Sequence, residues 1–468
     1  MSREDRVFWM FLGVYFIVKL VYLYLLKLPL SFDEAYYWDW SRIPAFGYYS
    51  KPPMVAWLIG LSTKIFGTSE FAVRLPALLC CILTLIFGYK LFKELLPKNK
   101  ALSSTIFLGL VPIITIYSFV MTIDPPLIAF WTIALWCFVR YTKTLSTGYA
   151  VLCGIFAGLG LLTKQTMAAF LFFTLIYALL FLKNKRHFYL YLFSLVILPA
   201  LIYLPNILWN LKHGFLMLKH TESHFTRKEH SILQFLNYFF GCNGAYTLIF
   251  TGLLVTGFSY LRSYKRSQVF DYLYVVSLPF LVFITLVALF IKININWIFP
   301  FVITGYFLWF WMEDFSGWRR FVSKVSWGIA IVFSFLLCTL AFKPGLFPPI
   351  MQKLLSKFQG WRTLAKEVTP VIPRDLPLVA ENRHIAAELD FYLPWHPKAY
   401  VLNLSGHPES QYDVWRSVKK LNGKLVILVK SGLSPIGVLK EARLLKKVTV
   451  RRSYGNIVFS VWQGKLRL

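Results

Sequence analysis

Apolar runs long enough to cross a lipid bilayer recur along this chain, and no other feature constrains its fold as strongly. The first reads VFWMFLGVYFIVKLVYLYLL and a later one LLCCILTLIFGYKLF. In hydrocarbon every backbone N–H and C=O needs a partner within the protein, so such runs fold as helices. About twenty residues suffice to span ~30 Å of hydrocarbon. Spans are expected near 8–28, 73–92, 101–121, 126–140, 148–164, 166–182, 188–208, 232–260, 270–291, 297–311 and 325–342. That is a polytopic α-helical membrane protein of about eleven transmembrane helices. The composition agrees, with 57% of 468 residues hydrophobic and 15% charged, above the ~45–50% apolar share of soluble domains.

Basic residues mark alternate loops: Arg3 and Arg6; Lys93, Lys98 and Lys100; Arg140 and Lys143; Lys183, Lys185 and Arg186; Arg262, Lys265 and Arg266; Arg319, Arg320 and Lys324. The positive-inside rule makes these loops cytoplasmic and places the amino terminus inside. The first loop (29–72), the 209–231 loop and everything after 343 are then extracytoplasmic. The first apolar run is too long for a cleavable signal peptide and lacks a small-residue cleavage pattern, so it is expected to remain as an anchor.

Two parts are expected, a membrane body over 1–342 and a small C-terminal α/β domain over 343–468. The junction FKPGLFPPIMQKLL is rich in Pro and Gly, as at a break. Beyond it LPLVAEN, KAYVLNL, KLVILVK, KKVTVRR and NIVFSVWQ read as strands, and EARLL and WRTLAKEV as helical. The formal charge is +29, and from residue 343 onward 21 Lys and Arg stand against 8 Asp and Glu, a net +13. A basic domain beside a membrane suits anionic headgroups or an anionic substrate; nucleic acid is not an expected partner outside the cell. The six cysteines lie in or beside apolar runs, with neither a disulfide framework nor metal-ligand spacing.

The chemistry is concentrated in the first loop, SFDEAYYWDWSRIPAFGYYSKPP. A carboxylate such as Asp33, at a membrane edge among aromatic rings, can take a proton from an incoming nucleophile. Glu34 beside it has two readings, a catalytic partner or the closing residue of a capping box Ser31-x-x-Glu34. Lys51 precedes Pro52 and Pro53, which stiffen its segment. A rigidly held ammonium can clamp a phosphate and stabilise charge on a leaving group. Tyr36, Tyr37, Trp38, Trp40, Tyr48 and Tyr49 fit either an interfacial belt or a stacking surface for sugars and isoprenoid tails.

DEAYYWDW followed by YYSKPPMVAWLIGLSTKIFGTSEFAVRLPALL resembles the first loop and second span of the bacterial aminoarabinose transferase/protein O-mannosyltransferase superfamily. These are C-type (GT-C) membrane glycosyltransferases that use polyprenyl-phosphate sugars. The resemblance continues through MTIDPPLIAFWTIALW, GLGLLTKQTM and LIYLPNILWNLKHGF, and more weakly through GWRTLAKEV, AAELDFYLPWHP and NLSGHPESQYDVW. It implies that Asp33 is the catalytic acid of the first loop, Glu34 its partner and Lys51 the polyprenyl-phosphate contact. Where the family often carries an Arg just after the acid pair this chain reads AYYW, and its nearest Arg is Arg42. The resemblance also implies a bacterial inner-membrane location and a multi-pass GT-C fold.

Further candidates lie elsewhere. Asp124, before Pro125, fits a helix N-cap, while the resemblance makes it a second cavity acid near the acceptor. Lys164 ends a span, where a lysine ordinarily snorkels, and the resemblance puts its segment by the cavity. Arg74 heads the second span and needs a carboxylate or phosphate partner at that depth. Arg227, beside Lys228, is a further candidate for a lipid phosphate. With Tyr48 and Tyr49, residues Trp209, Asn210 and His224 complete the candidate acceptor cavity. His220 and His224 are four apart but lack an HExxH pattern, so no metal site is expected. Asn294, Asn296 and Trp297 read as interface anchors.

The expected activity is inverting transfer of a sugar from a polyprenyl-phosphate donor to lipid A or another glycolipid, with protein Ser/Thr hydroxyls as the alternative acceptor. No cofactor is required, since neither a phosphate loop nor a dinucleotide fingerprint occurs; a divalent metal is compatible with the chemistry but not needed beside a cationic clamp. A flippase for an anionic lipid would instead show inverted repeats, mid-membrane charges and short loops. A lipid-binding receptor would leave Asp33 without a role.

Overall fold

In a computed structural model, described over residues 2–181, 188–226, 231–259, 267–312, 317–434, 437–452 and 455–468, helices dominate the first three quarters of the chain and a small sheet the last. The basic residues Lys183, Lys185, Arg186, Arg262, Lys265 and Arg266 and the candidate Arg227 lie outside the described residues. A helix or helix pair covers each expected apolar run: Arg3–Leu25, Glu70–Leu95, Lys98–Leu110 with Pro112–Tyr117, Asp124–Thr144, Thr147–Leu161, Met167–Phe181, Phe188–Lys212, Ile232–Tyr246 with Ile249–Ser259, Gln268–Val287, Phe299–Met312 and Gly317–Phe342. Among the described residues five helices are long and apolar enough to cross a membrane, or six if one bent pair is a single span.

That bent pair corrects the reading of 232–260 as one straight span. Ile232–Tyr246 and Ile249–Gly257 meet at 112°. The break centres on Thr247, whose φ of 62° lies in the left-handed region that a β-branched residue rarely adopts. Apolar residues continue on both sides of the break, so hydropathy alone does not reveal it.

Close helix approach elsewhere follows from glycine. A Cβ at Gly154 would collide with the Ser194 carbonyl, which sits in the π-helical turn Phe193–Ile197. Small residues let backbones meet where lipid supplies no hydrophobic drive between helices.

The chain divides into two compact units. One gathers Met1–Tyr24, Lys51–Val55 and Arg74–Cys338; the other gathers Leu25–Ser50, Ala56–Val73 and Thr339–Leu468. The second unit carries a five-stranded sheet in the order β2-β1-β3-β5-β4, with β1 Leu378–Ala380, β2 Tyr400–Val401, β3 Leu425–Ser431, β4 Leu439–Arg452 and β5 Gly455–Leu466. β1 pairs in parallel with β2 and β3, and β5 runs antiparallel to β3 and β4. Central β3 is buried from Val426 to Lys430, as a strand covered on both faces should be. The Trp361–Val368 helix buries Trp361, Leu364, Ala365 and Val368, one stripe at helical spacing. It starts at Gly360, whose φ of 98° and contact with Val450 both require the missing Cβ.

EARLL, expected to be helical, is instead part of β4. Register shifts lie between Lys440 and Arg443 and between Leu444 and Lys446. These bulges insert unpaired residues into the strand, which erases the period-two alternation by which a strand is recognised.

Candidate active site

The Phe32–Ser41 helix begins with Ser31 as N-cap, and the capping box anticipated from Ser31-x-x-Glu34 is fully formed. Ser31 N and Oγ donate to Glu34 Oε2 at 2.9 and 3.1 Å, and Glu34 N donates to Ser31 Oγ at 3.3 Å. Glu34 is wholly buried, so its carboxylate holds the helix start. Asp33, one residue earlier in the same first turn, is half-buried and makes no side-chain hydrogen bond or ion pair among the described residues. A carboxylate held on a capped helix, with no partner among the described residues, is available to an incoming group. Ser31→Ala is expected to destabilise this unit by about 1 kcal/mol, read as a lowered melting temperature; an unchanged value would mean that the box contributes nothing.

Several aromatic residues of the loop pack with the tail inside the second unit. Trp38 meets Phe391 edge-on at 4.9 Å, Tyr36 stacks on Tyr412 at 5.4 Å and Phe32 lies 3.9 Å from His384. Gln411 ties two points of the loop: its N donates to Tyr36 Oη at 2.6 Å and its Oε1 accepts from Tyr49 N at 2.6 Å. Tyr48 is fully buried, stacked on Trp40 at 4.6 Å, and its hydroxyl donates to the carbonyls of Trp40 and Ile43. Arg42 bonds Asp39 at 2.8 Å and the carbonyls of His396 and Pro397, so it is spent on structure. Near it, burial and the Asp39 charge push the Asp390 carboxyl well above the usual carboxylate range, against the Ala399 N–H that it accepts.

His384 is a second unusual group in this core. Burial, aided by the positive charges of Arg383 and Lys357, pulls its pKa from 6.5 to about 4. Between those values the unfolded chain binds a proton that the folded chain refuses, so this contribution lowers stability as pH falls from 6.5 to about 4 and is absent above. The difference in melting temperature between wild type and His384→Gln should therefore change across pH 4–6.5 and level off above it. A constant difference would remove His384 from the pH response.

The other candidates stand in the helical unit. The Lys51-Pro52-Pro53 segment leads into Met54, whose N donates to Leu162 O at 3.0 Å; this anchors it to the turn that carries Lys164. Lys51 is half-buried and Arg74 is 1% exposed, and both are engaged by the protein. Asp124 is not the N-cap expected of it: the cap is Ile123, without a side-chain bond. The Asp124 carboxylate instead accepts from Lys164 Nζ at 2.9 Å and from Asn296 Nδ2 at 2.8 Å. Lys164 therefore does not snorkel; both charges are buried. Asn296, read as an interface anchor, is the third member of this cluster. The signal for it was a polar NIN stretch interrupting two apolar helices.

Asn210 is buried and donates to Asn206 O at 3.0 Å, leaving its own Oδ1 without a partner among the described residues. Trp209 is half-buried and stacks on His213 at 4.0 Å. His224 lies in the Leu216–Thr226 helix, its side chain outside the description. The structure thus joins Asp124 with Lys164, groups Asp33, Glu34, Tyr48 and Tyr49 in the second unit, and places Lys51, Arg74, Trp209 and Asn210 in the first. Among the described residues no three His, Cys, Asp or Glu side chains converge as a metal site.

Known proteins resemble this chain in sequence and in fold. Residues 50–209 match the family model described as dolichyl-phosphate-mannose-protein mannosyltransferase. The chain is 29% identical over 396 residues to the lipid A galacturonosyltransferase RgtD of Rhizobium johnstonii, covering 81% of each protein. Over 139 residues it is also 29% identical to the undecaprenyl phosphate-alpha-4-amino-4-deoxy-L-arabinose arabinosyl transferase of Yersinia enterocolitica, 28% of this chain and 25% of that one. The crystal structure of ArnT from Cupriavidus metallidurans bound to undecaprenyl phosphate superposes with a TM-score of 0.67 at 16% identity, over 98% of both chains. In sequence and in fold, this chain is similar along most of its length to the aminoarabinose transferase-like GT-C membrane proteins.

Proposed function

We propose that this protein is an integral membrane glycosyltransferase that moves a sugar from an undecaprenyl-type polyprenyl-phosphate donor to lipid A or a related glycolipid, inverting the anomeric carbon. The observation that carries the reading is Asp33, a carboxylate on a capped helix with no side-chain hydrogen bond or ion pair among the described residues. Asp33 takes the proton from the acceptor hydroxyl as its oxygen attacks C1. The bond from C1 to the phosphate oxygen breaks, its electron pair stays on that oxygen, and the lipid phosphate leaves. Lys51 stabilises the charge that develops there, with Arg74, Lys164 and Arg227 as further cations for the donor. Asp124, Tyr48, Tyr49, Trp209, Asn210 and His224 are assigned to the acceptor side. Glu34 acts by fixing the helix that presents Asp33. No step requires a metal.

The names of the relatives support the donor and acceptor classes, a helix or helix pair over each apolar run is compatible with about eleven crossings, and the basic residues of alternate loops favour the amino terminus inside. The active site and the domain 343–468 then face outward. The mannosyltransferase description of the matching family favours a second reading, transfer to Ser/Thr of a protein.

The test is to reconstitute the purified protein with labelled polyprenyl-phosphate sugars and bacterial membranes. Label is expected in the glycolipid fraction. Label in protein would select the second reading, and no transfer from any of several donor sugars would overturn the enzyme in favour of a flippase.

A further inference from the structure

At one end of the helical unit a pocket of about 370 Å³ opens between the start of Arg3–Leu25 and the last turns of Glu70–Leu95 and Asp124–Thr144. That volume is within the ~300–1,000 Å³ of small-molecule sites. Rings form much of its wall: Phe8 stacks on Tyr89 at 3.9 Å, Trp136 meets Tyr149 edge-on at 5.5 Å, and Trp9 flanks the opening.

The charges in the wall are not balanced. Asp5 is held by Lys93 at 2.6 Å, and Glu94 by Arg140 and Lys143 at 3.0 Å each. Both acids are thereby neutralised. Lys90 remains, exposed, with its ammonium 4.7 Å from the centre of the Phe87 ring and 4.8 Å from that of Trp136, and it has no carboxylate among the described residues. Ring faces attract a cation but leave its N–H donors without acceptor oxygens.

Beside the opening, Val7, Trp9, Met10 and Val14 are exposed along the Arg3–Leu25 helix, an apolar strip running away from the charged rim. An anion that fits has phosphate oxygens for Lys90 and an apolar body for the strip. We infer that this pocket binds the phosphate headgroup of an anionic glycerophospholipid, with the acyl chains laid along the first helix. Lysine at such an interface strengthens anionic lipid binding by about fivefold. The site involves none of the residues assigned to transfer.

Native mass spectrometry of the full-length protein in detergent tests this, titrating phosphatidylglycerol and phosphatidylcholine of identical chains. Phosphatidylglycerol should be retained in preference, Lys90→Ala should weaken that retention about fivefold, Lys90→Glu should weaken it further, and Lys90→Arg should restore it. Melting temperatures of the variants report whether they fold, and the exposed position predicts no change. Equal retention of both lipids, or indifference to all three substitutions, would overturn the site. Displacement of phosphatidylglycerol by millimolar inorganic phosphate would assign the pocket to a free anion and overturn the lipid.

Discussion

Replacing Asp33 by Asn is expected to slow sugar transfer by ~10²–10⁴-fold, the usual contribution of a general base, while donor binding and melting temperature stay at wild-type values. Asn keeps the shape of the side chain but cannot accept the hydroxyl proton. No fold penalty is expected, because Asp33 has no hydrogen bond or ion pair among the described residues to lose. Glu34→Gln makes the necessary contrast. That change touches a wholly buried capping box, so it should lower stability along with any loss of rate. Transfer assays, equilibrium binding of the polyprenyl phosphate and thermal melts on both variants separate the two roles. Loss of donor binding in Asp33→Asn would make Asp33 a donor ligand, and wild-type turnover would place the base elsewhere.

Lys164→Ala is expected to destabilise the helical unit by about 3–5 kcal/mol, the effect of stranding one member of a buried ion pair. Asp124 is 1% exposed and would retain, among the described residues, Asn296 as its side-chain partner. Removing both charges together, as in Asp124→Leu with Lys164→Met, should be far milder, since the desolvation cost of each ion disappears with it. Thermal unfolding of the three proteins in one detergent measures the difference. A Lys164→Ala protein as stable as wild type would mean that the ion pair does not hold these helices together. Lost donor affinity in such a stable variant would give Lys164 to the donor phosphate.

Much of the architecture was legible because a bilayer leaves so few options. Where backbone groups have no water, an apolar run of sufficient length is a helix, and helices do lie over 70–95, 268–287 and 317–342 as the runs foretold. The capping box at Ser31 and Glu34 was equally readable, since its chemistry is local and closes within four residues. The family resemblance was legible in longer stretches, DEAYYWDW and YYSKPPMVAWLIGLSTKIFGTSEFAVRLPALL among them. Reading failed where partners are distant. Of the two readings of Asp124, the helix cap rested on its chain neighbours alone and does not hold; its carboxylate accepts instead from Lys164 and Asn296, 40 and 172 residues away.

The aromatic residues of the first loop teach the same lesson. A dense set of Tyr and Trp next to a membrane span admits several uses, and nothing in the loop itself tells them apart. Tyr36 and Trp38 turn out to be core residues because Tyr412 and Phe391 supply the matching surfaces. The amino-acid sequence by itself determined where the apolar helices lie, though not the break near Thr247, together with the helix cap at Ser31 and the types of side chain available, all set by local periodicity and by the solvent that surrounds them. Tertiary structure alone decided which charges neutralise one another and which carboxylate remains open, because a side chain's electrostatic partners are fixed by distance in space and not by distance along the chain.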